Sequence, residues 1–212
     1  MATQSPRAMS VVPGDLLTRP EWLSARITEM GVSWGTTTPR IAGTLWWCMV
    51  ASALVEHLAA AYVAGERPPC PSLDALRCEV RPDGGVERVH LPAADPENPD
   101  PARTLHDTLT AVIDPVAAVS GAGVAALWAI VADAIGNRAL DAGDAEAGLR
   151  LAEDVGGRLP TPRFVEVGGR TFVRRVSCCL VFEVPGCRMC TSCPKRPAAE
   201  RTAMLADSAA RK

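Results

Sequence analysis

Apolar residues recur at helical spacing through the first two thirds of the chain and give way to short strand-like runs after Pro160-Thr161-Pro162. Thr18-Arg19-Pro20-Glu21 has the form of a capping box with proline in the first turn, and Gly31 is the expected end of that helix. Thr38-Pro39 opens a longer helix running through Trp46, Trp47 and Leu54 to Gly65, a natural terminating glycine. Arg103 to Asp114 reads as helix until Pro115, Val124 to Arg138 as another, and Asp144 caps a shorter one ending near Gly156. Between them, Arg77 to Val80, the turn Pro82-Asp83-Gly84-Gly85 and Val86 to Leu91 predict a hairpin, followed by a proline-rich loop from Pro92 to Pro101.

Beyond residue 160 a second hairpin is expected from Phe164 to Val167, Gly168-Gly169 and Thr171 to Val176. It leads directly into Cys178-Cys179. Another apolar run, Leu180 to Val184, ends at Pro185-Gly186, and Pro197 to Lys212 predicts a short, partly exposed helix. The fold class is therefore α+β, mainly helical, with a helical part over 1–160 and a small cysteine-rich part over 161–212.

Two apolar stretches invite a membrane reading. Ile41 to Val55 stops at Glu56-His57 and reads as too short to cross a bilayer. Pro115 to Ala132 carries no charge, but it is rich in Ala and Gly and only weakly hydrophobic. Both are expected as buried helices, and no secretory signal is read in the opening residues.

The whole chain of 212 residues has a net charge of −2 and 4% aromatic residues, which argues against nucleic-acid binding by bulk charge or base stacking. Charge is unevenly spread. Residues 163–212 hold ten Lys/Arg and four Asp/Glu, a net of +6, and the preceding 162 hold twelve against twenty. A positive field around the cysteines would draw an anionic partner, with Arg174, Arg175 and Arg188 as the steering candidates.

Of eight cysteines, Cys178, Cys179, Cys187, Cys190 and Cys193 fall within sixteen residues. In a reducing compartment such density reads as metal binding or redox chemistry rather than disulfides. Thiolates are the ligands of both zinc and iron–sulfur clusters, and Cys190-x-x-Cys193 lets two sulfurs converge. The adjacent pair fits zinc less easily, since neighbouring side chains diverge on a strand and on a helix. A two-iron cluster is the larger target, with irregular backbone expected near Ser177 to Cys179.

The pattern CC-x10-C-x2-C, preceded by basic residues and containing an apolar run and a Pro-Gly turn, resembles the C-terminal motif of the FhuF family of siderophore-iron reductases. The resemblance implies a [2Fe–2S] cluster on Cys178, Cys179, Cys190 and Cys193, with residues 1–160 as the siderophore-binding part. It implies a cytoplasmic enzyme, at most docked at the inner face of the membrane, that passes one electron to a ferric siderophore of the hydroxamate type. A ferredoxin or flavin reductase would be the donor. Cys187 departs from the pattern: it creates Cys187-x-x-Cys190-x-x-Cys193-Pro194, similar to the start of a bacterial ferredoxin run, and is a spare-ligand candidate.

Other signals are weaker. Gly121-Ala122-Gly123-Val124-Ala125-Ala126 fits a dinucleotide fingerprint but lacks the flanking strands, so close helix packing explains it better. His57, His90 and His106 form no ligand spacing. Trp34, Trp46, Trp47 and Trp128 read as core, and a siderophore pocket would be sought near Trp34 and Arg40. Cys48 reads as a buried core thiol. The alternatives are an electron carrier or iron–sulfur sensor without its own substrate, and a zinc-stapled binding module.

Overall fold

The computed structural model describes residues 9–94 and 100–211. Strand β1 (Ser10–Pro13) leads into helices α1 (Pro20–Trp34) and α2 (Pro39–Ala64). The hairpin β2 (Arg77–Val80) and β3 (Val86–His90) precedes α3 (Pro101–Ser120), α4 (Val124–Ala142) and α5 (Ala145–Val155). A second hairpin, β4 (Phe164–Val167) and β5 (Arg170–Val173), is followed by irregular chain and by α6 (Ala198–Ala210).

Helix α2 is the spine. Trp46, Trp47, Val50, Leu54, Val55 and Leu58 are buried, and α2 packs against α1, α3, α4 and α5. Its two tryptophans also hydrogen-bond: Trp46 Nε1 donates to the Gly84 carbonyl and Trp47 Nε1 to the Leu127 carbonyl, both at 2.9 Å. A large aromatic thus fills the core without stranding its one polar atom. At 26 residues α2 extends well beyond the apolar run Ile41 to Val55 and is long and apolar enough to cross a bilayer, yet half of its most apolar window is buried within the protein. The second apolar stretch is broken by Gly121-Ala122-Gly123: Gly121 ends α3 at φ +73° and Gly123 caps α4. The glycine-rich sequence is a helix-to-helix turn, not a phosphate cradle.

Several boundaries differ from expectation, among them the end of α4, which runs past Arg138 to Ala142. Helix α1 runs past Gly31 to a left-handed Gly35, and the Thr18 hydroxyl donates to the Asp15 carbonyl instead of capping α1. Helix α3 continues through Pro115, because Val112, Ile113 and Val116 on either side are buried and their packing outweighs one lost backbone hydrogen bond. Strand β1 was not signalled; it joins β2 as the edge of an antiparallel sheet of order β1-β2-β3. Gly65, Asp144 with Gly156, the first hairpin and α6 lie where expected, while β5 of the second hairpin ends at Val173, short of the expected Val176. The proline-rich loop falls partly outside the described residues.

Candidate metal centre

The hairpin β4–β5 packs on α4, and the chain leaving β5 crosses α4 toward α2. From Arg174 to Leu180 it has no helix or strand, as the adjacent cysteines required. Leu180 takes a left-handed backbone at φ +63°, alone among the described non-glycine residues, and a single 3-10 turn follows over Val181–Glu183. Arg40 at the start of α2 pairs with Glu183 at 2.9 Å and ties this turn to the helical body.

The bend sorts the sulfurs into two pairs. Cys178 Sγ lies 3.8 Å from Cys193 Sγ. Cys179 and Cys190 lie close enough for their thiols to act on each other, which lowers the Cys179 thiol to about 5 and raises that of Cys190. Burial raises Cys178, while the Leu180 N–H, turned toward its sulfur, works the other way. The Val181 N–H does the same for Cys179. Four ligands at about 2.3 Å around a tetrahedral metal have sulfur–sulfur edges of roughly 3.8 Å, so the first pair has the spacing of one such edge. Among the described residues no three Cys, His, Asp or Glu side chains converge on one point. Two pairs of thiols therefore fit a two-metal group better than a single ion.

Behind the pairs lies Asp133 of α4, 2% exposed. Its carboxylate accepts from the Val176 and Ser177 backbone N–H groups at 2.9 Å each and from the Ser177 hydroxyl at 2.6 Å. Arg175 reaches the same carboxylate at 3.4 Å and donates to Cys190 Sγ at 3.7 Å. Expected at the surface as a steering charge, Arg175 is turned inward, because the buried carboxylate and the sulfurs together offer it partners. Arg174 and Arg188 are exposed, as a steering role requires.

Cys187 is half-buried against the hydrophobic core, its N–H bonded to the Val184 carbonyl at 3.1 Å, and no sulfur contact joins it to either pair among the described residues. Cys48 sits in a cleft of about 320 Å³ between α2 and α4, lined also by Ser52, Asn137, Arg138, Arg175 and Cys179. Burial pushes its thiol up to about 12. The position is more specific than a plain core thiol, since the cleft ends at one sulfur of the second pair. Trp46, Trp47 and Trp128 are core, while Trp34 is 40% exposed. Near Trp34, residues of α1 and the Thr36-Thr37-Thr38 turn enclose a smaller cavity of about 220 Å³ that neither Trp34 nor Arg40 lines. His57 bonds the Val89 carbonyl, His90 meets Glu79 and His106 stacks on Trp128. None faces the thiols in these contacts.

Sequence reasoning missed Asp133 and the cleft. One signal was present: Asp133 is the only charged residue between Asp114 and Arg138. A lone acid in such a run is retained where something buried needs it.

Residues 175–195 match the family described as the FhuF 2Fe-2S C-terminal domain. No curated protein matches the chain. The matched segment contains Cys178, Cys179, Cys187, Cys190 and Cys193 together with Arg175, and it assigns the protein a [2Fe–2S] cluster and with it a redox role.

Proposed function

We propose that the protein is a cytoplasmic ferric-siderophore reductase in which Cys178, Cys179, Cys190 and Cys193 hold the [2Fe–2S] cluster and Cys187 stands aside. The observation that carries this reading is the sorting of those four thiols into two close pairs, one of them bordering a cleft in a large helical body. When bound, the cluster supplies one electron, which takes the ferric ion of a hydroxamate chelate to Fe(II), held far less tightly by hard oxygen ligands.

The chain's own residues would handle the substrate. Exposed Arg174 and Arg188 attract an anionic chelate or an acidic donor such as a ferredoxin or flavin reductase. Ser52, Asn137 and Arg138 offer hydrogen-bonding groups along the cleft, which reaches Cys179 without exposing the second pair fully. With 320 Å³ the cleft admits one arm of a chelate, leaving the remainder at its mouth. The size of residues 1–160 favours a substrate-handling enzyme over a bare carrier.

The test is direct. Dithionite-reduced protein mixed with ferric hydroxamate and a ferrous chelator should reoxidise and colour the chelator, with one Fe(II) formed per cluster oxidised. A cluster that stays reduced against both hydroxamate and catecholate chelates would replace this reading with the electron-carrier one.

A further inference from the structure

Asp133 is the only buried charged residue among those described, and it lies on α4, 42 residues before Arg175 and outside the matched segment. A carboxylate removed from water is costly unless its oxygens are fully engaged. Here both are: Oδ1 accepts from the Val176 N–H, and Oδ2 from the Ser177 N–H, the Ser177 hydroxyl and Arg175. A neutral acceptor could serve the two backbone groups. The ionised one adds a hold on the Arg175 guanidinium, whose Nη2 also reaches the Ser177 hydroxyl at 3.5 Å.

The direction of that hold is what matters. With Nε on Asp133, Arg175 extends Nη1 to Cys190 Sγ at 3.7 Å, and with Cys179 it borders the same cleft, close enough for its charge to act on that sulfur. Both sulfurs of the second pair therefore receive a cation. The first pair receives the Leu180 N–H and no guanidinium in these contacts. An added electron is stabilised at the end of a cluster where positive charge and N–H donors meet the sulfurs.

We propose that Asp133 is a positioning residue that fixes Arg175 against the Cys179/Cys190 pair, so that the cation raises the cluster's reduction potential and draws the added electron to that end. This rests on the ligand set proposed above. The electron then resides beside the α2–α4 cleft, on the side where an acceptor can approach.

The test is a double-mutant cycle on the cluster-loaded protein, read by redox titration and by the electron paramagnetic resonance spectrum of the reduced state. Arg175→Gln should lower the midpoint potential and change the spectrum, with iron and sulfide content retained, and Arg175→Lys should lower it less. Arg163→Gln, an exposed charge on the same strand approach, should leave both readouts near wild type. In an Asp133→Asn background the shift caused by Arg175→Gln should shrink by half or more, because the guanidinium is no longer held in place. Asp133→Ala, which removes the carboxylate outright, serves for the same comparison if the Asn variant loads poorly.

An unchanged or higher potential in Arg175→Gln overturns the proposal. An undiminished shift in both Asp133 backgrounds overturns the part assigned to Asp133. Wild-type protein lacking two irons and two sulfides per chain would count against the ligand reading itself, which the potentials do not touch.

Discussion

The helical body and the segment from Arg174 to Pro197 are held together by different forces. In the body, α2 and α4 bury Trp46, Trp47, Val50, Leu54, Trp128, Val131 and Ile135, and apolar burial of this kind needs no ligand. In the segment only Ser177, Val184 and Cys193 are buried, and regular structure is limited to one 3-10 turn. Polar ties therefore carry a larger share: Asp133, Arg175, the Arg40–Glu183 pair and the thiols, beside a small apolar seat for Leu180, Val181 and Val184. This contrast leads us to expect that the body keeps its structure when the metal is removed and that the segment loosens.

The sharpest way to break this contrast is at the thiols. Changing Cys178, Cys179, Cys190 or Cys193 to Ser should abolish or destabilise the visible absorption, while far-ultraviolet circular dichroism stays at wild-type helicity. Cys187→Ser should keep two irons and two sulfides per chain. Loss of colour in Cys187→Ser with retention in Cys178→Ser would move the ligand set to the ferredoxin-like one. In the body the reciprocal change is Trp47→Ala, which empties a fully buried site and removes the indole N–H bonded to the Leu127 carbonyl. It should cost about 3–5 kcal/mol in chemical denaturation, and a loss under about 1 kcal/mol would mean that the spine packs differently.

A third, smaller effect follows from stripping the metal with a chelator under reducing conditions. Hydrogen exchange should rise across residues 176–194 and stay slow in α2 and α4. Uniform acceleration would mean that body and segment open as one unit.

The least disruptive test lies in the first hairpin. Burial would raise the Asp83 carboxyl, but Arg81 and the Gly85 N–H outweigh it and hold it below the usual carboxylate range. A depressed pKa stabilises the fold above the unfolded value near 3.9 and ceases to do so as pH falls through the folded one. Asp83→Asn should therefore cost no more than about 1 kcal/mol at pH 7, allowing for partial exposure. The difference from wild type should vanish at the acid end of a pH series; a penalty that persisted there would point to lost turn geometry instead of lost charge.

The same contrast explains which features the sequence makes legible. The body's helices were legible because apolar spacing, proline starts and glycine ends are local, as at Pro39 and Gly65. Pro115 misled because the rule for proline knows nothing of the buried faces around it. Strand β1 is four residues ending in proline, and only pairing with β2, more than sixty residues later, makes it a strand. At the site the cysteines announced themselves by spacing. Arg174 and Arg175 were indistinguishable in sequence; the fold sends one outward and the other to Asp133. That separation is a long-range property, and no local pattern encodes it.

Leu180 has a consequence for anyone wishing to transplant this motif. A left-handed leucine costs on the order of 1–2 kcal/mol relative to ordinary backbone. Its side chain packs against the hydrophobic core, alongside Val181, and that apolar seat offsets the cost. Residues 175–195 grafted onto a foreign scaffold would bring the cysteines and leave the seat behind. Glycine at 180 would be the better choice in such a recipient, while in this protein it should loosen the bend that aims two adjacent thiols in different directions.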